Sequence, residues 1–173
     1  MRVLGAILAG GEARRFGRDK ALAEWAGAPL IAHVAAALVC ECDALVVCGR
    51  HYLDLPVLVD RPRTGLGPLG ALAAALHHAS RYGFDAVLSA PCDTPHLPAL
   101  RPLLEPSGYL SGTPVIGLWP AQLADHLDRW LAADRPRAVR AWAEAAGIPA
   151  VTVPPVANVN TPADLALLSS PRT

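Results

Sequence analysis

The chain has 173 residues, of which 53% are hydrophobic and only 17% charged, so a packed core is possible and extensive disorder is disfavoured. Its 15 basic and 15 acidic residues give a net charge of zero, which argues against a globally cationic nucleic-acid binder. The apolar run at residues 3–9 is too short and wrongly flanked for a signal peptide or a membrane span, so we expect a cytoplasmic protein without a membrane partner.

Apolar runs and helical periodicities alternate along the first part of the chain. Val3–Leu8 is a continuous apolar run, the pattern of a buried parallel strand. Residues 30–39 follow Pro29 and are apolar at helical spacing, which predicts a helix. Two further strands are predicted at residues 44–48 and 56–59.

The second part of the chain continues the alternation. A helix is predicted over residues 68–80 and a buried strand over 85–90. Further helices are predicted at residues 97–104, 120–132 and 137–146, and further strands at 113–118 and 150–153. The last helix begins at Pro162 and is capped by Thr161. Alternating strands and helices predict a single α/β domain with a mainly parallel sheet flanked by helices.

The cysteines and histidines lack the spacing of common metal or hydrolytic sites. Cys40 and Cys42 are separated by a single residue and no second pair follows, so the zinc-knuckle spacing is missing. We expect these cysteines, together with Cys48 and Cys92, to be reduced and mostly buried. Neither H-E-x-x-H nor G-x-S-x-G occurs, which argues against a zinc protease and a serine hydrolase.

The segment after the first strand, residues 8–21 (LAGGEARRFGRDKA), combines glycines with concentrated positive charge. Gly10 and Gly11 let backbone N–H groups approach a phosphate closely. Four basic residues lie within seven positions: Arg14, Arg15, Arg18 and Lys20. A bound triphosphate needs such donors and cations, and the spacing is neither G-x-G-x-x-G nor the Walker pattern. The alternative is a solvated surface loop with chance charges.

Three other features follow predicted strands, where ligands bind in open α/β sheets. Asp60 is a candidate acceptor for guanine nitrogens or ribose, or else a capping or surface residue. Residues 65–70 (GLGPLG) suit a ligand-facing turn, or an ordinary helix N-terminus. Asp93 is placed to hold Mg²⁺, which prefers one or two carboxylates plus phosphate oxygens, or else to cap the following helix.

Two amides lie near the end of the chain. Asn158 and Asn160 are two positions apart on a predicted extended segment, so their side chains point the same way. Paired amides are suited to recognise a polar heterocycle. The alternative is turn-forming asparagine before a helix.

Four motifs together resemble the molybdenum cofactor guanylyltransferase family, known also as the molybdopterin-guanine dinucleotide biosynthesis protein A family. They are ILAGGEARRFGRDKA, GPLGAL, PCDTP and NVNTPADL, in this order, and the resemblance covers essentially the whole chain. It implies a Rossmann-like nucleotidyltransferase fold, with nucleotide binding in about residues 1–95 and acceptor binding in about 96–173. It also implies GMP transfer from GTP to the terminal phosphate of Mo-molybdopterin, which yields molybdopterin guanine dinucleotide and pyrophosphate.

The resemblance implies roles for individual residues on the donor side. The GTP phosphates and base would be lined by Leu8, Ala9, Gly10 and Gly11. Arg15 and Lys20 would steady the triphosphate as catalytic residues. Asp60 would contact the guanosine, and Asp93 would hold Mg²⁺ as both a GTP-binding and a catalytic residue. The chain departs from many relatives at VVCGR, where they carry asparagine.

On the acceptor side, the resemblance places Asn158 and Asn160 against molybdopterin. Because molybdopterin is labile, it also implies handover between proteins, with upstream cofactor-synthesis proteins and downstream molybdoenzyme chaperones as candidate partners.

Two other function classes remain open from the sequence. The first is a sister enzyme that transfers CMP to molybdopterin or a nucleotide to a sugar phosphate. The second is a non-catalytic nucleotide-binding module. The presence of both Lys20 and Asp93 argues against the module, because binding alone does not require a metal-positioned α-phosphate.

Overall fold

The computed structural model describes residues 1–10, 20–133 and 135–168. The strands in these residues are β1 Val3–Leu8, β2 Glu24–Trp25, β3 Ala28–Pro29, β4 Ala44–Cys48, β5 Val57–Leu58, β6 Ala86–Pro91, β7 Gly108–Leu110, β8 Gly117–Pro120 and β9 Ala150–Val151. The helices are α1 Leu30–Val39, α2 Pro68–Arg81, α3 Arg101–Leu104, α4 Ala124–Ala132, α5 Val139–Ala145 and α6 Pro162–Leu168. Short 3₁₀ turns occupy Lys20–Leu22 and Ala121–Leu123.

The main sheet has the strand order β5-β4-β1-β6-β8-β7-β9, which confirms the predicted α/β class. β1 lies between β4 and β6 and pairs in parallel with both. β4 pairs in parallel with β5, and β7 with β9. β8 is antiparallel to both of its neighbours, so the sheet is mixed beyond β6. The carboxyl ends of β1, β4, β5 and β6 therefore share one edge.

Apolar layers cover both faces of the sheet. Leu4 and Ala6 of β1 face the layer that contains α2, α4 and α5, while Val3 and Ile7 face the layer that contains α1 and α3. These four side chains are at most 1% exposed, which explains why the sequence of β1 is apolar at consecutive positions rather than alternating. The buried strand predicted at Val3–Leu8 is confirmed.

The structure corrects the prediction in the region after β6. The helix predicted at 97–104 is only Arg101–Leu104, because Pro98 lacks a backbone N–H and biases Leu97 away from helical geometry. The strand predicted at 113–118 is instead Gly117–Pro120. It forms a hairpin with β7, whose turn holds hydrogen bonds from the Thr113 N–H to Leu110 and from the Ile116 N–H to Thr113.

The structure differs from the sequence-based expectations at two further points. The β2–β3 hairpin was not predicted, because its turn residues Ala26 and Gly27, both at positive φ, lack the Asn-Gly signature of such turns. Of the four cysteines, only Cys48 is fully buried, while Cys40 is exposed, although all four are free thiols as expected. Within the described ranges, no helix has the length and apolar character to cross a membrane.

Candidate active site

A cleft of about 880 Å³ opens at the edge where the parallel strands end. Each of four strands contributes at least one residue to its wall just beyond its carboxyl end. These residues are Ala9 and Gly10 after β1, Arg50 after β4, Asp60 after β5, and Cys92 and Asp93 after β6. Segments that are far apart in sequence thus meet in one cavity, as expected for a ligand site in an open α/β sheet.

The floor of the cleft is backbone at the end of β1. The Ala9 N–H donates to the Cys48 carbonyl at 3.0 Å, which extends the ladder between β1 and β4. Gly49 has φ of +91°, and a Cβ on it would lie only 2.5 Å from the Gly10 Cα. The two chains can approach this closely only because Gly49 has no side chain. Leu8, Ala9 and Gly10, to which the resemblance assigns contacts with the GTP phosphates and base, line the cavity.

Asp60 forms part of the wall beside the N-terminus of α2. Burial raises the pKa of its carboxyl group, and a hydrogen bond from the Gly65 backbone acts in the opposite direction. The Asp60 side chain also lies against Gly70, where an added Cβ would come within 3.1 Å of the Asp60 Cβ. The carboxylate is therefore fixed between the 65–70 turn and the cavity.

The 65–70 turn is both a helix start and a wall of the cleft. Gly65, Gly67 and Pro68 line the cavity, and α2 begins at Pro68 with Gly67 as a cap residue that has positive φ. The 14-residue α2 thus begins at the cavity, and the positive end of its dipole favours an anion there. Residues 65–70 are therefore both a turn that faces the cavity and the N-terminus of a helix, which were the two alternatives from the sequence.

Asp93 lies directly beyond β6 on the cavity wall. Its carboxylate Oδ1 accepts a hydrogen bond of 3.3 Å from the Thr94 hydroxyl, and Thr94 is completely buried. The Asp93 carbonyl accepts the Val159 N–H at 2.8 Å. The next helix, α3, begins only at Arg101, so Asp93 does not cap it.

The donor set around Asp93 suits Mg²⁺. Across residues 1–10, 20–133 and 135–168, no group of three or more His, Cys, Asp or Glu side chains could hold a metal. A single oriented carboxylate is what Mg²⁺ uses when phosphate oxygens and water supply its remaining ligands. Among the described residues, Asp93 therefore fits that ion better than it fits an all-protein metal cage.

Asn158 and Asn160 lie on the same side of their segment, as the spacing predicted. The Asn160 amide donates to the Asn158 side-chain oxygen at 3.2 Å, and Asn158 lines the cavity. The Thr161 hydroxyl accepts the Asp164 N–H at 3.2 Å, and the Asp164 carboxylate accepts the Thr161 N–H at 2.7 Å. This reciprocal pair confirms the predicted cap and fixes the start of α6 next to the amides.

Part of the predicted phosphate loop lies outside the described residues. Gly11 and Arg15 fall in that part. Lys20 begins the 3₁₀ turn Lys20–Leu22, and its neighbour Ala21 lines the cavity. The backbone that carries Lys20 therefore borders the same cleft as Asp93.

Arg50, Cys92, Thr113 and Val115 line the cavity without having been predicted. The Arg50 Nε donates to the Ala9 carbonyl at 3.2 Å. Its position two residues beyond β4 is the signal that could have identified it, because the carboxyl ends of parallel strands meet at one edge. Thr113 and Val115 come from the β7–β8 turn, which local sequence did not reveal.

Comparison with known proteins agrees with this geometry. Residues 5–148 match the model of the MobA-like NTP transferase domain. The molybdenum cofactor guanylyltransferase of Rhodobacter capsulatus is 39% identical over an alignment that covers 96% of this chain and 94% of that protein. A protein of the same name from Cereibacter sphaeroides is 37% identical, with 98% and 97% covered.

Solved structures share the fold at low identity. The molybdopterin-guanine dinucleotide biosynthesis protein A of Archaeoglobus fulgidus superposes with a TM-score of 0.72 at 22% identity, with 95% of each chain covered. A CMP:2-keto-3-deoxy-manno-octonic acid synthetase complexed with CTP gives a TM-score of 0.71 at 14% identity, with 97% of each chain covered. The same architecture thus occurs in proteins named for guanine and for cytosine nucleotides, so the fold does not decide the base.

Proposed function

Because the chain belongs to the family of MobA-like NTP transferases, we propose that it transfers GMP from GTP to the terminal phosphate of Mo-molybdopterin. The products are molybdopterin guanine dinucleotide and pyrophosphate. The observation that carries this proposal beyond the family is convergence in one cleft: the Gly10 backbone, the start of α2 and the Asp93 carboxylate all line the same cavity.

The donor site is built for a nucleoside triphosphate. Leu8, Ala9 and Gly10 line the cleft, and the small residues Ala9 and Gly10 let phosphates and base lie close to the backbone. The N-terminus of α2 adds a favourable field for negative charge. Asp60 provides a hydrogen-bond acceptor for the guanosine, and Arg15 and Lys20 provide the positive charge that a triphosphate requires.

We assign Mg²⁺ to Asp93. When bound there, the ion neutralises charge on the phosphate oxygens. Asp93 itself contributes one carboxylate, whose orientation is fixed by the buried Thr94 hydroxyl. Asn158 and Asn160 contact molybdopterin on the other side of the reacting phosphates.

The reaction is a direct in-line displacement. An oxygen of the molybdopterin phosphate forms a bond to the α-phosphorus of GTP, while the bond from that phosphorus to the bridging oxygen of pyrophosphate breaks. The attacking phosphate is already ionised at neutral pH, so the site needs no general base. The protein accelerates the reaction by holding the two phosphates in line and by placing Lys20 and Arg15 near the developing charge.

Asp93→Asn tests the assignment. Asparagine retains an oxygen that accepts the Thr94 hydrogen bond, so the fold is preserved while the negative charge is removed. We expect turnover to fall by about 100-fold or more, the scale of losing one key electrostatic group. The measurement is pyrophosphate release with GTP, Mg²⁺ and Mo-molybdopterin.

The matched control is Asp54→Asn, which removes an exposed carboxylate that does not line the cleft. This variant is expected to turn over at the wild-type rate. A wild-type rate in Asp93→Asn would show that Asp93 is not the group that positions the metal.

A further inference from the structure

Arg50 places a guanidinium group on the wall of the donor cleft. It is half-buried, lines the cavity, and donates from Nε to the Ala9 carbonyl at 3.2 Å. Its neighbour Gly49 is fixed by a hydrogen bond of 3.0 Å from its N–H to the Leu58 carbonyl and by the close approach to Gly10. The backbone next to Arg50 and its side-chain Nε are therefore both held by residues at the ends of the sheet strands.

The Ala9 contact places the guanidinium beside the end of β1, which borders the donor nucleotide under the proposed function. A guanidinium is planar and has five N–H donors in a fixed fork, so it can engage two acceptors of a planar group at once. Guanine offers such a pair in O6 and N7. Adenine has an amino donor in place of O6, so it would oppose the fork.

Asp60 lies on the same cleft and has the complementary polarity. Its carboxylate is an acceptor held near the 65–70 turn, whereas guanine has donors at N1 and N2. A wall with one fork of donors and one carboxylate matches the hydrogen-bonding pattern of guanine. It does not match adenine, which has an amino donor in place of O6 and no N–H at N1.

From this geometry we propose that Arg50 is a specificity-determining residue, which selects GTP over ATP by donating hydrogen bonds to O6 and N7 of guanine. The inference rests on the proposed function, since it assigns a base contact within that donor site. It adds a residue that the sequence motifs did not indicate.

Nucleotide binding without acceptor tests this inference. Dissociation constants are measured by calorimetry for GTP, 7-deaza-GTP, CTP and ATP with Mg²⁺, on the wild type and on Arg50→Met and Arg50→Lys. In the wild type, loss of the N7 acceptor should weaken binding by about 10-fold, on the scale of one bidentate base contact. In Arg50→Met, GTP should bind about 10-fold or more weakly, and 7-deaza-GTP should bind as well as GTP.

Arg50→Lys separates base recognition from simple charge. Lysine keeps the positive charge but has no planar fork, so GTP affinity should stay close to that of Arg50→Met. Arg129→Met is the matched control, because Arg129 is exposed on α4 and does not line the cleft, and it should leave all four dissociation constants unchanged.

Three results would overturn the inference. Recovery of affinity in Arg50→Lys, with equal losses for GTP, CTP and ATP in Arg50→Met, would assign Arg50 to the phosphates. Equal losses together with a lower melting temperature would assign it to structural support of Ala9. An undiminished 7-deaza-GTP penalty in Arg50→Met would place the N7 contact elsewhere. In all three, wild-type preference for GTP leaves the proposed function intact, whereas wild-type preference for CTP would overturn both.

Discussion

The approach of Gly49 to Gly10 gives a quantitative prediction for Gly49→Ala. Gly49 has φ of +91°, which costs an L-residue about 1–2 kcal/mol. The new Cβ would also lie 2.5 Å from the Gly10 Cα and 2.8 Å from the Gly10 nitrogen, and both are backbone atoms that cannot rotate away. Relieving such an overlap costs about a further 1–3 kcal/mol.

Gly147→Ala is the matched control for the backbone term. Gly147 has φ of +72°, but an added Cβ would meet no atom within 4 Å. We expect Gly147→Ala to lower the free energy of unfolding by about 1–2 kcal/mol. Gly49→Ala should lower it by about 2–5 kcal/mol, because it bears both costs.

Urea unfolding followed by circular dichroism measures both values, with unchanged m-values as the check that the transition is comparable. For a chain of this length, each kcal/mol corresponds to about 2–4 °C in melting temperature, so the difference between the variants is resolvable. Gly49→Ala should also weaken GTP binding, since Gly10 must shift. Equal destabilisation by the two substitutions would refute the close approach of β1 and β4 at the cleft floor.

Two further predictions concern charge at the donor site. Lys20 is the only lysine of the chain, so GTP with Mg²⁺ should slow its acylation by an activated ester, as followed by peptide mass spectrometry with the N-terminal amine as internal reference. An unchanged rate would remove Lys20 from the triphosphate site. Burial raises the pKa of the Asp60 carboxyl, so ionisation of this group lowers the stability of the folded state. Asp60→Asn should therefore melt at or above the wild-type temperature at pH 7. The difference should shrink as the pH falls and Asp60 becomes protonated. The same variant should bind GTP more weakly, and a lower melting temperature at pH 7 would contradict the assigned cause of the pKa shift.

The central strands could be predicted because their signal is local. β1 is buried on both faces, so all six of its residues are apolar, and this run can be recognised without knowledge of the rest of the chain. The helix at Leu30–Val39 was predicted correctly for a similar reason, since its apolar spacing and the preceding proline lie within the segment itself. The cleft-lining backbone after β1 could also be predicted, because glycines directly follow this strand.

The β7–β8 region was not predictable because its partners are distant. Tyr109 pairs with Gly117 across a turn but also with Ala150, about forty positions away. A three-residue strand carries too little periodicity to be recognised alone, and its burial comes from the sheet around it. The same region contributes Thr113 and Val115 to the cleft.

Arg50 shows the same limit at the functional site. Glycine-rich and acidic segments attract attention because their residue types imply phosphate or metal binding. The position of Arg50 just beyond a strand is a weak signal by itself. It becomes informative when β4 is known to lie beside β1, because the Arg50 side chain then reaches the Ala9 carbonyl. Strand order, rather than composition, identified it.

The most direct test of the central claim is to identify the product. The protein is incubated with Mg²⁺, Mo-molybdopterin and an equal mixture of GTP and CTP, and the dinucleotide formed is identified by mass spectrometry alongside released pyrophosphate. We predict molybdopterin guanine dinucleotide with one pyrophosphate per dinucleotide. Molybdopterin cytosine dinucleotide as the main product, or no dinucleotide at all, would contradict the account.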